Sequence, residues 1–204
     1  MKERPLGRIG RPRTMDRETA IESAMRLFWR HGYDGVSYPQ LVEAMKVTPP
    51  AVYAAFGNKA SLYAHALDHY VSTRAKDFSY LAAASSLTEA AELFLRHTAR
   101  ALLAPDGEKG CMVNVGMLAS HPDNIAITKD LAHRRDLFYA DIAEALTPWT
   151  DKAGAKRMAR ILNTFLQGLS VQARDGASQA DLSQLIDDAM LGLRATASTL
   201  EVRR

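Results

Sequence analysis

Cysteine is almost missing from this chain: Cys111 is the single thiol. One thiol cannot close an internal disulfide, and the composition fits a reducing compartment. Aromatic residues are sparse, at 7%. No apolar run is long enough to cross a bilayer, which excludes a transmembrane helix and leaves no membrane role. The basic N-terminus, MKERPLGRIGRPRT, lacks the apolar stretch of a secretory signal. The expectation is a soluble cytoplasmic protein. Strand-like alternation of β-branched residues is absent too, so the fold class reads as all-α. Enzyme signatures are equally missing: no nucleophile elbow, phosphate loop, zinc-protease helix or paired-carboxylate constellation occurs. Neither catalytic residues nor a cofactor are assigned. His65 and His69 lie four apart and share a helix face, within possible reach of Cys111 or His97. No further ligand completes a metal spacing, and no metal is assigned.

What remains is an ordinary globular composition, 47% hydrophobic and 24% charged over 204 residues, enough for one substantial core or two small ones. The formal net charge is only +3. Its distribution is more informative. Residues 1–59 hold ten Lys/Arg against six Asp/Glu, and the rest sixteen against seventeen. The positive excess falls on the segment that also carries the most specific pattern, Val36 to Leu62, VSYPQLVEAMKVTPPAVYAAFGNKASL. Leu41, Val42 and Met45 form one apolar period; Val52 and Phe56 form a second. Ser37 and Thr48 stand at the N-cap of each, and Pro49 occupies a first helical position, where its missing N–H costs nothing. Two short helices joined by a tight break make a helix-turn-helix, whose second helix can enter a major groove.

The pattern resembles the TetR (TetR/AcrR) family of bacterial transcriptional regulators. The residues that carry the likeness are Leu27-Phe28, His31-Gly32-Tyr33, Val36-Ser37, Leu41, Val47-Thr48, Tyr53, Phe56, Lys59 and Leu62. Lys46 departs from the pattern, standing where the family usually has glycine. If that backbone has φ > 0, a Cβ there costs on the order of 1 kcal/mol.

Taken in order, residues 1–14 form a basic arm, with Arg11 and Arg13 as candidates for minor-groove contact. A helix follows from Asp16 to about His31 and is stopped by Gly32. Residues 15–60 make the DNA-binding unit. Its reading helix offers Pro50, Ala51, Tyr53, Ala54 and Ala55, a small apolar face without Arg, Asn or Gln for bidentate base contacts. Ser37, Tyr38, Gln40, Thr48, Pro49, Tyr53 and Lys59 complete the candidate contacts, with Tyr53 resembling the family's phosphate-contacting tyrosine. A long lever helix is expected over 58–84. Residues 61–204 are Ala- and Leu-rich, broken near 85–87, 105–107, 120–122, 148–150 and 176–178, giving about nine helices in all.

The last two helices carry stripes at alternating spacings of four and three. Met158, Leu162, Phe165 and Leu169 lie on one; Leu182, Ile186, Ala189 and Leu193 lie on the other. Such stripes suit an antiparallel pair packing on a second copy. The resemblance implies a homodimer through these helices, bound to a palindromic operator in double-stranded DNA. It also implies a small-molecule effector of unnamed identity, with Phe78, Phe94, His97, Cys111, Met112, Met117, Phe138 and Trp149 as candidate lining. The function expected is a repressor released by that effector. Two alternatives stay open: a redox- or metal-responsive regulator acting through Cys111 and nearby histidines, or a DNA-binding regulator with no effector.

Overall fold

The computed structural model describes residues 16–74, 77–116 and 121–201. Among them the chain forms nine α-helices: α1 Arg17–His31, α2 Tyr38–Met45, α3 Pro49–Phe56, α4 Lys59–Arg74, α5 Leu87–Leu102, α6 Met112–Val115, α7 Ile125–Ala145, α8 Lys152–Arg174 and α9 Gln179–Leu200. Short 3₁₀ turns occupy Ser79–Ala83 and Pro122–Asn124. The only β pairing among the described residues is an isolated bridge between Thr150 and Glu201. No helix is long and apolar enough to cross a membrane.

Local chemistry places the first four helices. Asp16 caps α1 by accepting from the Glu18 amide, and Gly32 ends the helix at φ 72°. Ser37 and Gln40 form a reciprocal capping box on α2. Asn58 starts α4, its carboxamide oxygen accepting from the Ser61 amide at 2.9 Å. The apolar faces then converge: Ala24, Met25 and Phe28 from α1, Leu41 from α2, Val52 and Phe56 from α3, and Leu62, Tyr63 and Leu67 from α4 are all buried. Phe28 meets Tyr63 edge-on with centroids 4.9 Å apart.

A second core fills the C-terminal body, where α5 packs on α8 and α9, and α7 on α8. Here the structure corrects the expected seam. Met158, Leu162, Leu169, Leu182, Ile186 and Leu193 are between 0% and 4% exposed in the single chain. They face α5 and one another within the subunit's own core and are closed to a partner. Only Phe165 and Ala189 of the expected set keep exposed surface. A repeat of three and four reports that a helix has a buried stripe, not which molecule covers it.

The lever is also shorter than expected. α4 ends at Arg74, and Asp77 accepts from the Ser79 amide at 2.8 Å to start a separate 3₁₀ turn. Head and body are tied at the C-terminus of α1. Arg174 of α8 donates to the Trp29 and Arg30 carbonyls at 2.8 and 2.7 Å, complementing the negative end of that helix. The Trp29 indole donates to the Gly110 carbonyl at 2.9 Å, and Arg30 grips Glu108 with two nitrogens.

Candidate nucleic-acid interface and cavity

The outer face of α3 is set by what anchors its inner face. Val52 and Phe56, one turn apart, are 0% and 2% exposed; burying two such side chains contributes roughly 3–6 kcal/mol before entropy is counted. That anchorage leaves Pro49, Pro50, Tyr53 and Ala54 exposed and Ala51 half-exposed. Tyr53 is 68% exposed, unusual for an aromatic with a core beside it. The Thr48 side chain makes no capping hydrogen bond, although the residue sits at the N-cap. Its hydroxyl and the first amides of α3 face outward together, an arrangement suited to a phosphate oxygen. Arg17 from α1 lies over the Phe56 ring at 5.0 Å and brings a cation to the other end of the helix.

Other candidates are placed differently. Ser37 and Gln40 are exposed, yet their side chains are spent on each other: Gln40 Oε1 accepts from the Ser37 amide and hydroxyl, both at 2.8 Å. Tyr38 is a correction. Its ring packs against the head core, and its hydroxyl is buried with no partner among the described residues. A contact from it to DNA requires the ring to leave that packing. The ammonium of Lys59 rests 4.2 Å from the Tyr33 ring, and burial lowers its pKa against the opposing pull of Asp34. Arg11 and Arg13 lie outside the described residues. Lys46, between α2 and α3, adopts φ 54° and ψ 40°, the left-handed conformation that favours glycine.

Below the head, between α4, α5, α7 and the 3₁₀ turn, lies a cavity of about 590 Å³, within the range of small-molecule sites. Phe78, Phe94, His97, Cys111 and Phe138 line it, as expected. Met112 and Trp149 do not: Met112 is buried in the head core, and Trp149 packs on the body core with its indole donating to the Ala84 carbonyl. Met117 lies outside the described residues. The lining also includes Tyr70, Arg74, Tyr80, Thr98, Asn114, Arg134 and Asp141. Sequence reasoning passed these over because polar residues on a helix read as solvent-facing. Their helical spacing with Phe94 and Phe138 was the available signal.

Burial pushes the Cys111 thiol upward, outweighing hydrogen bonds from Tyr70 and from the Asn114 and Val113 amides that favour the thiolate. The start of a four-residue helix does not overcome that desolvation. His65 and His69 go separate ways: His65 meets the Phe56 ring edge-on at 5.9 Å, while His69 hydrogen-bonds Glu22 at 3.0 Å. No group of three or more His, Cys, Asp or Glu among the described residues could hold a metal ion.

The comparisons with known proteins agree with this geometry. The model of the family described as bacterial regulatory proteins, tetR family, matches residues 20–66, the head just described. The HTH-type transcriptional repressor ComR of Escherichia coli (strain K12) is 30% identical over 184 residues, covering 86% of this chain and 88% of that protein. The HTH-type transcriptional repressor BdcR of the same strain is 31% identical over 193 residues, covering 94% of each. Two cysteine-substituted forms of the TetR family transcriptional regulator CifR, each complexed with 26 bp double-strand operator DNA, share the fold. Their TM-scores are 0.77 and 0.78, at 34% and 33% identity, over 88% and 89% of this chain and 98% of each of those. The chain therefore belongs to the TetR family of bacterial regulatory proteins and is a DNA-binding transcriptional repressor rather than an enzyme.

Proposed function

We propose that two copies of this chain grip a palindromic operator through their α3 helices and release it when a small molecule fills the cavity. The observation that carries the DNA contact is the outward face of α3: Thr48, Pro50 and Tyr53 project while Val52 and Phe56 hold the helix from behind. Operator-bound CifR, a third identical to this chain, supports the same use of the head. With no amide or guanidinium on that face, base discrimination rests on thymine methyl contacts from Pro50 and Ala51 and on groove shape.

Pairing is supported by a second, adjacent stripe on α8 and α9. Phe165, Gly168 and Val171 on α8, with Leu185, Ala189 and Gly192 on α9, present apolar or small surface outward. A Cβ built on Gly168 or Gly192 meets nothing within 4 Å, so the monomer gives no reason for either glycine. Close approach of a second copy does. Symmetry then sets two α3 helices about 34 Å or a multiple apart, matching successive half-sites.

Ligand response follows from position. The cavity touches Trp29 of α1 and the last turn of α4, the helices that carry the head. To move operator occupancy from nearly full to nearly empty, the ligand must favour the released state by about 5.5 kcal/mol. The test is fluorescence anisotropy with labelled DNA from the region flanking the chain's own gene, titrated at several salt concentrations. Affinity falls steeply with salt, and Tyr53→Phe and Lys59→Ala each flatten the slope by about one phosphate per subunit. Salt-insensitive binding, or native slopes in both variants, refutes the assignment.

A further inference from the structure

The cavity has two unlike ends. At one, Phe78 stacks on Phe94 with centroids 6.5 Å apart and tilts against Phe138 at 5.7 Å, while Tyr80 stacks on His97 at 3.9 Å. Burial lowers the His97 pKa, which keeps the imidazole uncharged near neutrality. This end offers ring faces and edges to a flat apolar body. At the other end stands Arg74, the last residue of α4, its guanidinium 5.6 Å from the Trp29 ring. Its Nη atoms reach Asp106 at 3.3 Å and Glu22 at 3.5 Å. Its Nε is buried and has no hydrogen-bond partner among the described residues. Buried N–H donors are satisfied almost everywhere in folded proteins, so an orphan on a cavity wall is a place for an acceptor.

The charges around the cavity bear on what else the ligand carries. Arg134 is matched by Asp68 at 2.7 Å and Asp130 at 2.8 Å, Arg74 by its two carboxylates, and Asp77 by the Ser79 amide. An anion at Arg74 competes with Glu22 and Asp106 for a guanidinium they already hold. A cation enters a wall bearing two arginines, drawn only by Asp141, which has no ion-pair partner among the described residues. An uncharged acceptor meets neither cost and satisfies the orphan N–H. Resting on the effector reading above, we propose that the cavity takes an uncharged aromatic compound bearing a carbonyl-type acceptor, read by the Nε of Arg74 and stacked among Phe78, Phe94 and Phe138.

Binding at Nε also has a route to the head. The same guanidinium holds Glu22 of α1, which in turn holds His69 and Arg26. A ligand that re-aims Arg74 loosens the link between α1 and α4 at the point where the two helices carry the DNA-binding unit.

The test uses the full chain and four matched probes: 2-acetylnaphthalene, naphthalene, 2-naphthoate and a trimethylammonium-methyl naphthalene. Affinities are read by calorimetry, and occupancy of this cavity by slowed alkylation of Cys111, which lines it. The acetyl compound binds about tenfold or more tighter than naphthalene, the gain expected of one charge-assisted hydrogen bond, and tighter than either ion. Arg74→Met erases that gain while leaving naphthalene binding within a few-fold. Should Arg74→Met fail to fold, the ranking of the four probes on the native chain decides by itself. Equal binding of naphthalene and the acetyl compound, or preference for either ion, overturns the ligand class and leaves the effector reading standing. No binding by any probe, with Cys111 alkylated at an unchanged rate, overturns both.

Discussion

Lys46 is the one non-glycine residue of positive φ among the described residues, and the penalty it carries can be isolated by two substitutions. Its φ of 54° and ψ of 40° end α2 and turn the chain toward α3, with the Lys46 amide donating back to the Glu43 carbonyl at 3.1 Å. A Cβ in this conformation costs about 1–2 kcal/mol. Glycine removes that cost but gives back roughly 0.5–1 kcal/mol through its greater freedom in the unfolded chain. Lys46→Gly therefore stabilises by roughly 0.5–1 kcal/mol, a rise in Tm of about 2–4 °C per kcal/mol for a chain of this size. Lys46→Ala keeps the Cβ and removes the same charge, so it leaves stability within about 0.5 kcal/mol of native. The assay is denaturant unfolding of the three chains at one protein concentration, because an associating chain has a concentration-dependent midpoint. Since both variants lose the same exposed cation beside α3, their operator affinities shift alike. If alanine stabilises as much as glycine, charge and not backbone strain is the cause. If glycine destabilises, the strain argument fails outright.

The pairing face makes an equally sharp prediction. Gly168→Leu and Gly192→Leu place side chains in open space and raise helix propensity by about 0.8–1 kcal/mol each, so each variant keeps its helical circular dichroism. Each nevertheless runs as a monomer in light scattering and loses operator affinity at least about tenfold, the loss of coupling between half-sites; a dimer of native affinity refutes the seam. Cys111 supplies the pH dependence. With the thiol pKa raised by burial, its alkylation by iodoacetamide, which proceeds through the thiolate, keeps accelerating past the ordinary thiol value of about 8.5. A plateau at or below neutrality would show a depressed pKa and restore the redox-sensing alternative.

The head was legible because its signals are local. Ser37 with Gln40, Pro49 after Thr48, and Gly32 and Gly57 at φ 72° each act on residues within one turn, and the structure uses each at its place. The body was legible only in part. Periodicity found both stripes of α8 and α9 but assigned the wrong one to the partner, because a buried leucine has the same spacing whether its own chain or another covers it. Gly168 and Gly192 already pointed to the correct face: small residues have no use on a helix surface that meets only water. The short lever was missed for a related reason. Asp77, which ends the helical run by starting a new turn, reads in isolation as one more solvated charge.

The polar residues of the cavity were the least legible, and they join its two proposed roles. Asp68, Arg74, Arg134 and Asp141 sit on α4 and α7 at positions that any helix fills with surface charge. What makes them distinct is pairing across elements: Arg134 of α7 to Asp68 of α4 at 2.7 Å, and Arg74 of α4 to Glu22 of α1 at 3.5 Å. Each pair is partly exposed and contributes little to stability by itself, about 0–1 kcal/mol. Such a weak link suits a switch better than a strong one. A ligand has to supply only a few kcal/mol of differential affinity, and links of this strength can be exchanged within that range. The firm ties, Arg174 on the α1 carbonyls and Trp29 on Gly110, lie at the far end of α1. That end serves as a pivot, and the Glu22 side of α1 as the part free to move the head when Arg74 changes partner.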